Sequence, residues 1–338
     1  MRLLLAAAAL LLVAAPAQAV VGGKRVAVGE VPWFANLDGS CGGTLVAPDR
    51  VVTAGHCVIG VSLDELDPIR IAGQRRKAIH FALHPDWRRV NGGNLLDDVA
   101  VIQLDAPVTT VAPVPLGPDP APPRVTVLGR GASTHSGRRG GSLREAPLRT
   151  VGDRACARQW RRARGNDGER YSAARMVCSL DVNGRRPLSS ACFGDSGGPL
   201  FGGTHAAPVL YGIVSFGSDT CGGDGLPTVY AEVARYRDFI LAPAPAWAPV
   251  ATGPSAVSGT PRAGRRLTCS VPGWDVPPDR VQFAWVRSLG QRTVGRRETY
   301  RVRARDRGSL LICVASARNA GGVATAPLDR DLSAVRVR

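Results

Sequence analysis

The chain has 338 residues, a net charge of +16 and only 5% aromatic residues. That length exceeds one ordinary domain and suits two. Past the N-terminus no run approaches about 18 consecutive apolar residues, which excludes a membrane-spanning helix. The charge is uneven: residues 250–338 carry 16 basic and 6 acidic side chains, a net +10, against 26 and 21 in 20–241, a net +5. Arg, Ala, Gly and Pro are used heavily throughout, so a single arginine says little about function.

Residues 1–19 read as an export signal. Met1-Arg2 is a positive start, Leu3 to Ala15 is apolar, and Ala17-Gln18-Ala19 is an A-x-A cleavage site. This predicts a secreted, extracellular protein whose mature chain starts at Val20. Cysteines at 41, 57, 156, 178, 192, 221, 269 and 313 fit an oxidising destination. There is no CxxC pair and no zinc spacing, so neither a metal nor a cofactor is expected. Disulfides are the simpler explanation, with about a hundred connectivities open from spacing alone.

From 20 to 241, short apolar β-branched runs alternate with Gly, Pro, Asn and Asp. Gly43–Ala47, Arg50–Ala54, Val99–Leu104, Val125–Leu128 and Val209–Phe216 predict buried strands. Only 153–164 and 233–241 suggest helices, so the region is all-β, a barrel or sandwich. Residues 242–252 form a Pro/Ala-rich linker. The strand pattern restarts in 253–338, at Arg266–Val271, Val281–Val286, Thr299–Ala304 and Leu310–Ala317. There Cys269 and Cys313 bracket Trp285, a spacing that resembles the small Ig-like β-sandwich modules of bacterial secreted proteins. The tyrosine expected two residues before the second cysteine is replaced by Leu311.

Three segments in 20–241 carry chemistry. A serine hydroxyl is a poor nucleophile until a base takes its proton, and that base needs a partner to fix its tautomer. Gly194-Asp195-Ser196-Gly197-Gly198-Pro199 is a glycine-rich turn able to expose a serine and leave N–H groups open for a developing oxyanion. Thr53-Ala54-Gly55-His56-Cys57 puts a histidine at the end of an apolar run, and Asp97-Asp98 puts carboxylates at the mouth of another. Singly, each is an ordinary turn.

Together, with VVGG at Val20–Gly23, CGGTLV at Cys41–Val46, GIVSFG at Gly212–Gly217 and PTVYAEV at Pro227–Val233, they resemble the chymotrypsin/trypsin-like serine proteases over most of 20–241. The resemblance implies a double six-stranded β-barrel and a serine endopeptidase working through an acyl-enzyme. It makes His56 the general base, Asp98 its orienting partner (with Asp97 a rival) and Ser196 the nucleophile. Gly194 and Ser196 N–H groups would form the oxyanion hole. A new N-terminus at Val20 would pair with Asp195. Implied disulfides are Cys41–Cys57, Cys156–Cys178, Cys192–Cys221 and, in the second module, Cys269–Cys313.

For the substrate pocket the resemblance points to Ser190, Ser215, Gly217 and Thr228. Ser190 stands where an aspartate would select Arg or Lys, and Thr228 where glycine would allow a deep pocket. Apolar P1 residues are therefore expected, in protein or peptide substrates. Competing with this is a non-catalytic protease homologue, or a binding protein in which the Ig-like module carries the main role. The basic 250–338 would suit an anionic cell-wall polymer. Without aromatic interleaving or a recognised motif, nucleic acid is not expected.

Overall fold

The computed structural model describes residues 20–338 apart from 38–40, 60, 90–94, 133–140, 164–170, 185–187, 244–245, 289–291 and 330. The export-signal segment 1–19 lies outside the described residues. No described helix is long and apolar enough to cross a membrane.

The β-branched runs become strands because they bury on both faces. Arg50–Thr53 is buried throughout, and Ala100–Leu104 at every position but Gln103. One antiparallel sheet runs in the order Gln74–Arg76, Ile69–Ile71, Phe34–Leu37, Cys41–Ala47, Arg50–Thr53, Ala100–Leu104, Ala78–Leu83. A second runs Arg144–Val151, Arg124–Gly129, Pro199–Gly203, Pro208–Phe216, Thr228–Glu232, Met176–Asp181, and closes because Met176–Asp181 pairs back onto Arg144–Val151. Lys24–Arg25 adds to its edge. Residues 20–241 thus hold one closed six-stranded barrel and one curled half-barrel. The expected helices form as Asp153–Arg162 and, after a tight turn at Val233–Tyr236, Arg237–Leu241.

The half-barrel packs around Phe81, Ile102 and Leu45, each wholly buried. Burying such a side chain contributes about 1.5–3 kcal/mol. Val20, Val127, Leu148 and Tyr230 make the barrel core.

Beyond residue 250 two more sheets form. One holds Ala256–Gly259, Arg266–Ser270 and Thr299–Arg301; the other holds Arg292–Gly295, Arg280–Arg287, Leu310–Asn319, Gly322–Thr325 and Ala334–Arg336. Their core contains Leu267, Trp285, Leu311 and the Cys269–Cys313 disulfide.

The Pro/Ala stretch before them is more engaged than a linker composition predicts. Ala78–Leu83 pairs with Ala100–Leu104 on one side only. Its other side receives Ala248, whose N–H donates to Phe81 O at 2.9 Å. There the Leu83 N–H donates to Gly321 O at 2.7 Å, from the turn after Leu310–Asn319. Trp247 stacks on His80 with ring centroids 5.6 Å apart, and Asn319 Nδ2 donates to Trp247 O. An exposed strand edge is a row of unpaired donors and acceptors, and here the C-terminal part covers it.

Candidate active site

His56 sits in the tight turn Gly55–Cys57, directly after Arg50–Thr53. The Cys41–Cys57 disulfide ties that turn to the neighbouring strand. Asp98 lies just ahead of Ala100–Leu104 and is 2% exposed. Its Oδ1 accepts from the His56 N–H at 2.8 Å and from Trp87 Nε1 at 3.2 Å. Its Oδ2 faces His56 Nδ1 at 2.8 Å and accepts from Ser215 Oγ at 2.6 Å. Burial opposes ionisation of Asp98, but the charge and hydrogen bonds of His56 and Ser215 outweigh it and hold the carboxyl below its ordinary range. A neutral His56 in this arrangement carries its proton on Nδ1, which leaves Nε2 as the acceptor.

Asp97 is turned elsewhere. Its carboxylate accepts from Arg175 Nε at 2.7 Å and from the Tyr236 hydroxyl at 3.3 Å. Of the two adjacent aspartates, then, only Asp98 faces the histidine.

Ser196 lies beside the His56 turn. The Gly42 N–H donates to Ser196 O at 2.7 Å, and Thr53 Oγ1 donates to Gly42 O at 2.8 Å. In the same loop the Asp195 N–H goes to Cys192 O and the Gly197 N–H to Val214 O. The Gly194 and Ser196 N–H groups have no partner among the described residues.

Asp195 is fully buried behind the loop. Its Oδ1 accepts from the Gly131 N–H at 2.7 Å and its Oδ2 from the Cys192 N–H at 2.9 Å. The Val20 N–H is a further donor to it. Burial drives its pKa up to about 7, against the pull of those Gly131, Cys192 and Val20 donors. Val20 itself is fully buried, and the next residue, Val21, bridges to Ser190.

A cavity of about 230 Å³ opens beside Ser196, lined by Ala191, Phe193, Val214, Ser215, Gly217 and Thr228 among others. Thr228, one of these lining residues, is buried. Ser190 adjoins the lining residues Ala191 and Thr228, its Oγ donating to Ala191 O at 2.8 Å and meeting Thr228 Oγ1 at 3.0 Å. The hydroxyl that was expected to face substrate is thus already satisfied. Ser215 both lines the cavity and supports Asp98, a second role its motif did not disclose. Phe193, 53% exposed on the rim, was also missed, although it directly precedes Gly194.

The four disulfides join the pairs that the resemblance implies. Cys41, His56 and Cys57 lie close enough to suggest metal ligands, but both sulfurs are bonded to each other. That cluster is a staple rather than a metal site.

Comparison with known proteins agrees with this architecture. The family model described as trypsin matches residues 20–240. A trypsin from Saccharopolyspora erythraea is 31% identical over 242 residues, covering 66% of this chain and 96% of that protein. Trypsin iota of Drosophila melanogaster is 29% identical over 239 residues, covering 66% and 87%. Serine protease 56 of Homo sapiens is 33% identical over 242 residues, but these make up only 38% of that longer protein. The chain belongs to the trypsin family and is a serine endopeptidase.

Proposed function

We propose that this protein is a secreted endopeptidase in which Ser196 attacks the scissile carbonyl carbon while His56 Nε2 takes the hydroxyl proton. His56 then delivers that proton to the leaving amine, and water hydrolyses the acyl-enzyme by the reverse sequence. Asp98 holds the His56 tautomer and balances the imidazolium charge. The Gly194 and Ser196 N–H groups receive the oxyanion. The observation that carries this reading is the Asp98–His56 contact at 2.8 Å beside a cavity that Ser196 lines. A fluorophosphonate probe should label Ser196, and Ser196→Ala should abolish both labelling and peptide hydrolysis. An unlabelled but folded protein would point instead to a non-catalytic homologue.

The cavity supports a preference for apolar P1 residues. Thr228 limits its depth, and its acidic lining residue, Asp219, is exposed rather than at the base. In such a pocket one methylene is worth only about 1–3 kcal/mol, so selectivity should be graded rather than absolute. Preferred cleavage after Arg in a chromogenic peptide panel would overturn this.

Cleavage after Ala19 would both export and activate the enzyme, its support being the buried contact of Val20 with Asp195. N-terminal sequencing of active secreted protein should begin at Val20. Four disulfides support an oxidising destination. Residues 253–338 are read as an Ig-like module, supported by Trp285 lying fully buried and opposite Cys313 in register. Its basic surface would suit an anionic wall polymer. Exposed Arg266 and Arg301 stand directly opposite each other, a like-charge pairing that costs stability unless an anion lies between them. Retention of the full chain on wall material should then fall as salt rises.

A further inference from the structure

Trp87 belongs to no motif that the protease reading uses. It ends the turn His84-Pro85-Asp86-Trp87, in which the Trp87 N–H donates to His84 O at 2.8 Å. Proline at the second position presets such a turn. The turn is anchored beside the catalytic strand, because the His84 N–H donates to Val99 O at 3.0 Å. From there the half-buried indole reaches the Asp98 carboxylate.

Two independent contacts fix it there. Trp87 Nε1 donates to Asp98 Oδ1 at 3.2 Å. The ring also lies over the His56 turn so closely that a Cβ on Gly55 would stand 2.4 Å from Trp87 Cδ1 and 2.7 Å from Nε1. Only glycine at 55 permits that approach. Each carboxylate oxygen of Asp98 thereby receives two donors: His56 N–H and Trp87 on Oδ1, Ser215 and His56 Nδ1 on Oδ2. Without the indole N–H, Oδ1 keeps a single donor and the carboxylate gains freedom to rotate off the imidazole.

We propose that Trp87 is a positioning residue for catalysis, its indole N–H fixing the Asp98 carboxylate so that Oδ2 stays aligned with His56 Nδ1. This rests on the triad reading above. Other ionisable groups near the cluster are Asp97 with its partner Arg175, Tyr236, and His84, which packs edge-on against Tyr236. None of them touches Oδ1 of Asp98.

The test compares Trp87→Phe, which keeps a ring over Gly55 but deletes the donor, with the parent enzyme, using a peptide substrate and mature protein. Removing one donor makes Asp98 more basic and favours protonated His56, so the acid limb of the kcat/KM profile should move to higher pH. The low-field proton resonance of His56 Nδ1–H should shift with it. Loss of a hydrogen bond to a charged group should lower kcat about tenfold or more, with KM little changed. The inference is overturned if Trp87→Phe leaves kcat, acid limb and proton resonance at parental values. It is equally overturned if activity falls only in step with thermal stability while the acid limb stays put, for then the ring is mere packing. Fluorophosphonate labelling of the parent distinguishes the two failures: an unlabelled parent refutes the triad, whereas a labelled parent with an indifferent Trp87→Phe refutes only this role.

Discussion

Substituting Gly321 should loosen the protease half-barrel, although Gly321 lies in the C-terminal part of the chain. A Cβ at this position would stand 2.0 Å from Ala246 O and 2.4 Å from the Trp247 carbonyl carbon. Those are backbone atoms, so the turn must move away rather than a side chain swing aside. Gly321→Ala therefore breaks the Leu83 N–H···O bond to Gly321 and displaces Ala248 from Phe81. Leu83 is 3% exposed, and a buried donor left without a partner costs about 1–3 kcal/mol, with about 1 kcal/mol more for the second bond. The edge strand should thus lose about 2–4 kcal/mol against local opening. At tenfold per 1.4 kcal/mol, amide hydrogen exchange across Ala78–Leu83 should accelerate about 30- to 800-fold. Exchange mass spectrometry reads this directly, with Gly29→Ala as a control, since a Cβ there meets nothing within 4 Å. If a folded Gly321→Ala protein exchanges Ala78–Leu83 at the parental rate, the C-terminal part does not support that edge.

Burial raises Asp195 from 3.8 to about 7, so the folded interior holds its protonated form more tightly than the unfolded chain does. A chain whose Val20 amine is blocked should therefore lose stability as pH rises from about 4 to about 7, whereas a free Val20 ammonium supplies the countercharge and removes that slope. Thermal melts of the two forms across this range check it, and identical slopes would contradict it. Thr228→Gly should deepen the cavity and raise kcat/KM for Phe over Val at P1 by about tenfold or more. An unchanged ratio would show that Thr228 is not the base of the pocket. Replacing Cys269 and Cys313 together with Ala should cost about 2–4 kcal/mol in the C-terminal sheets, seen as a lowered melting temperature, with Ser196 labelling retained.

What the sequence disclosed and what it concealed divide along a physical line. The strands, the two helices and the turns that carry His56, Asp98 and Ser196 were legible because their signals are local: a turn chemistry, a β-branched run, a short amphipathic stretch. What occupies the rival Asp97 was not, because its partner is Arg175, 78 residues away. The partners of Ser190 were hidden for a similar reason. Its hydroxyl meets that of Thr228, 38 residues further along the chain. The Pro/Ala stretch reads as a spacer because proline and alanine offer nothing to bury. Yet Ala248 is fully buried, and its small side chain lets the backbone reach the free edge of Ala78–Leu83. That edge runs into the turn that carries Trp87. The support of Asp98 therefore extends from the His56 turn through Trp87 toward a strand edge held by the C-terminal sheets. Each step joins residues whose separation along the chain hides the contact, so only the packed structure brings them together.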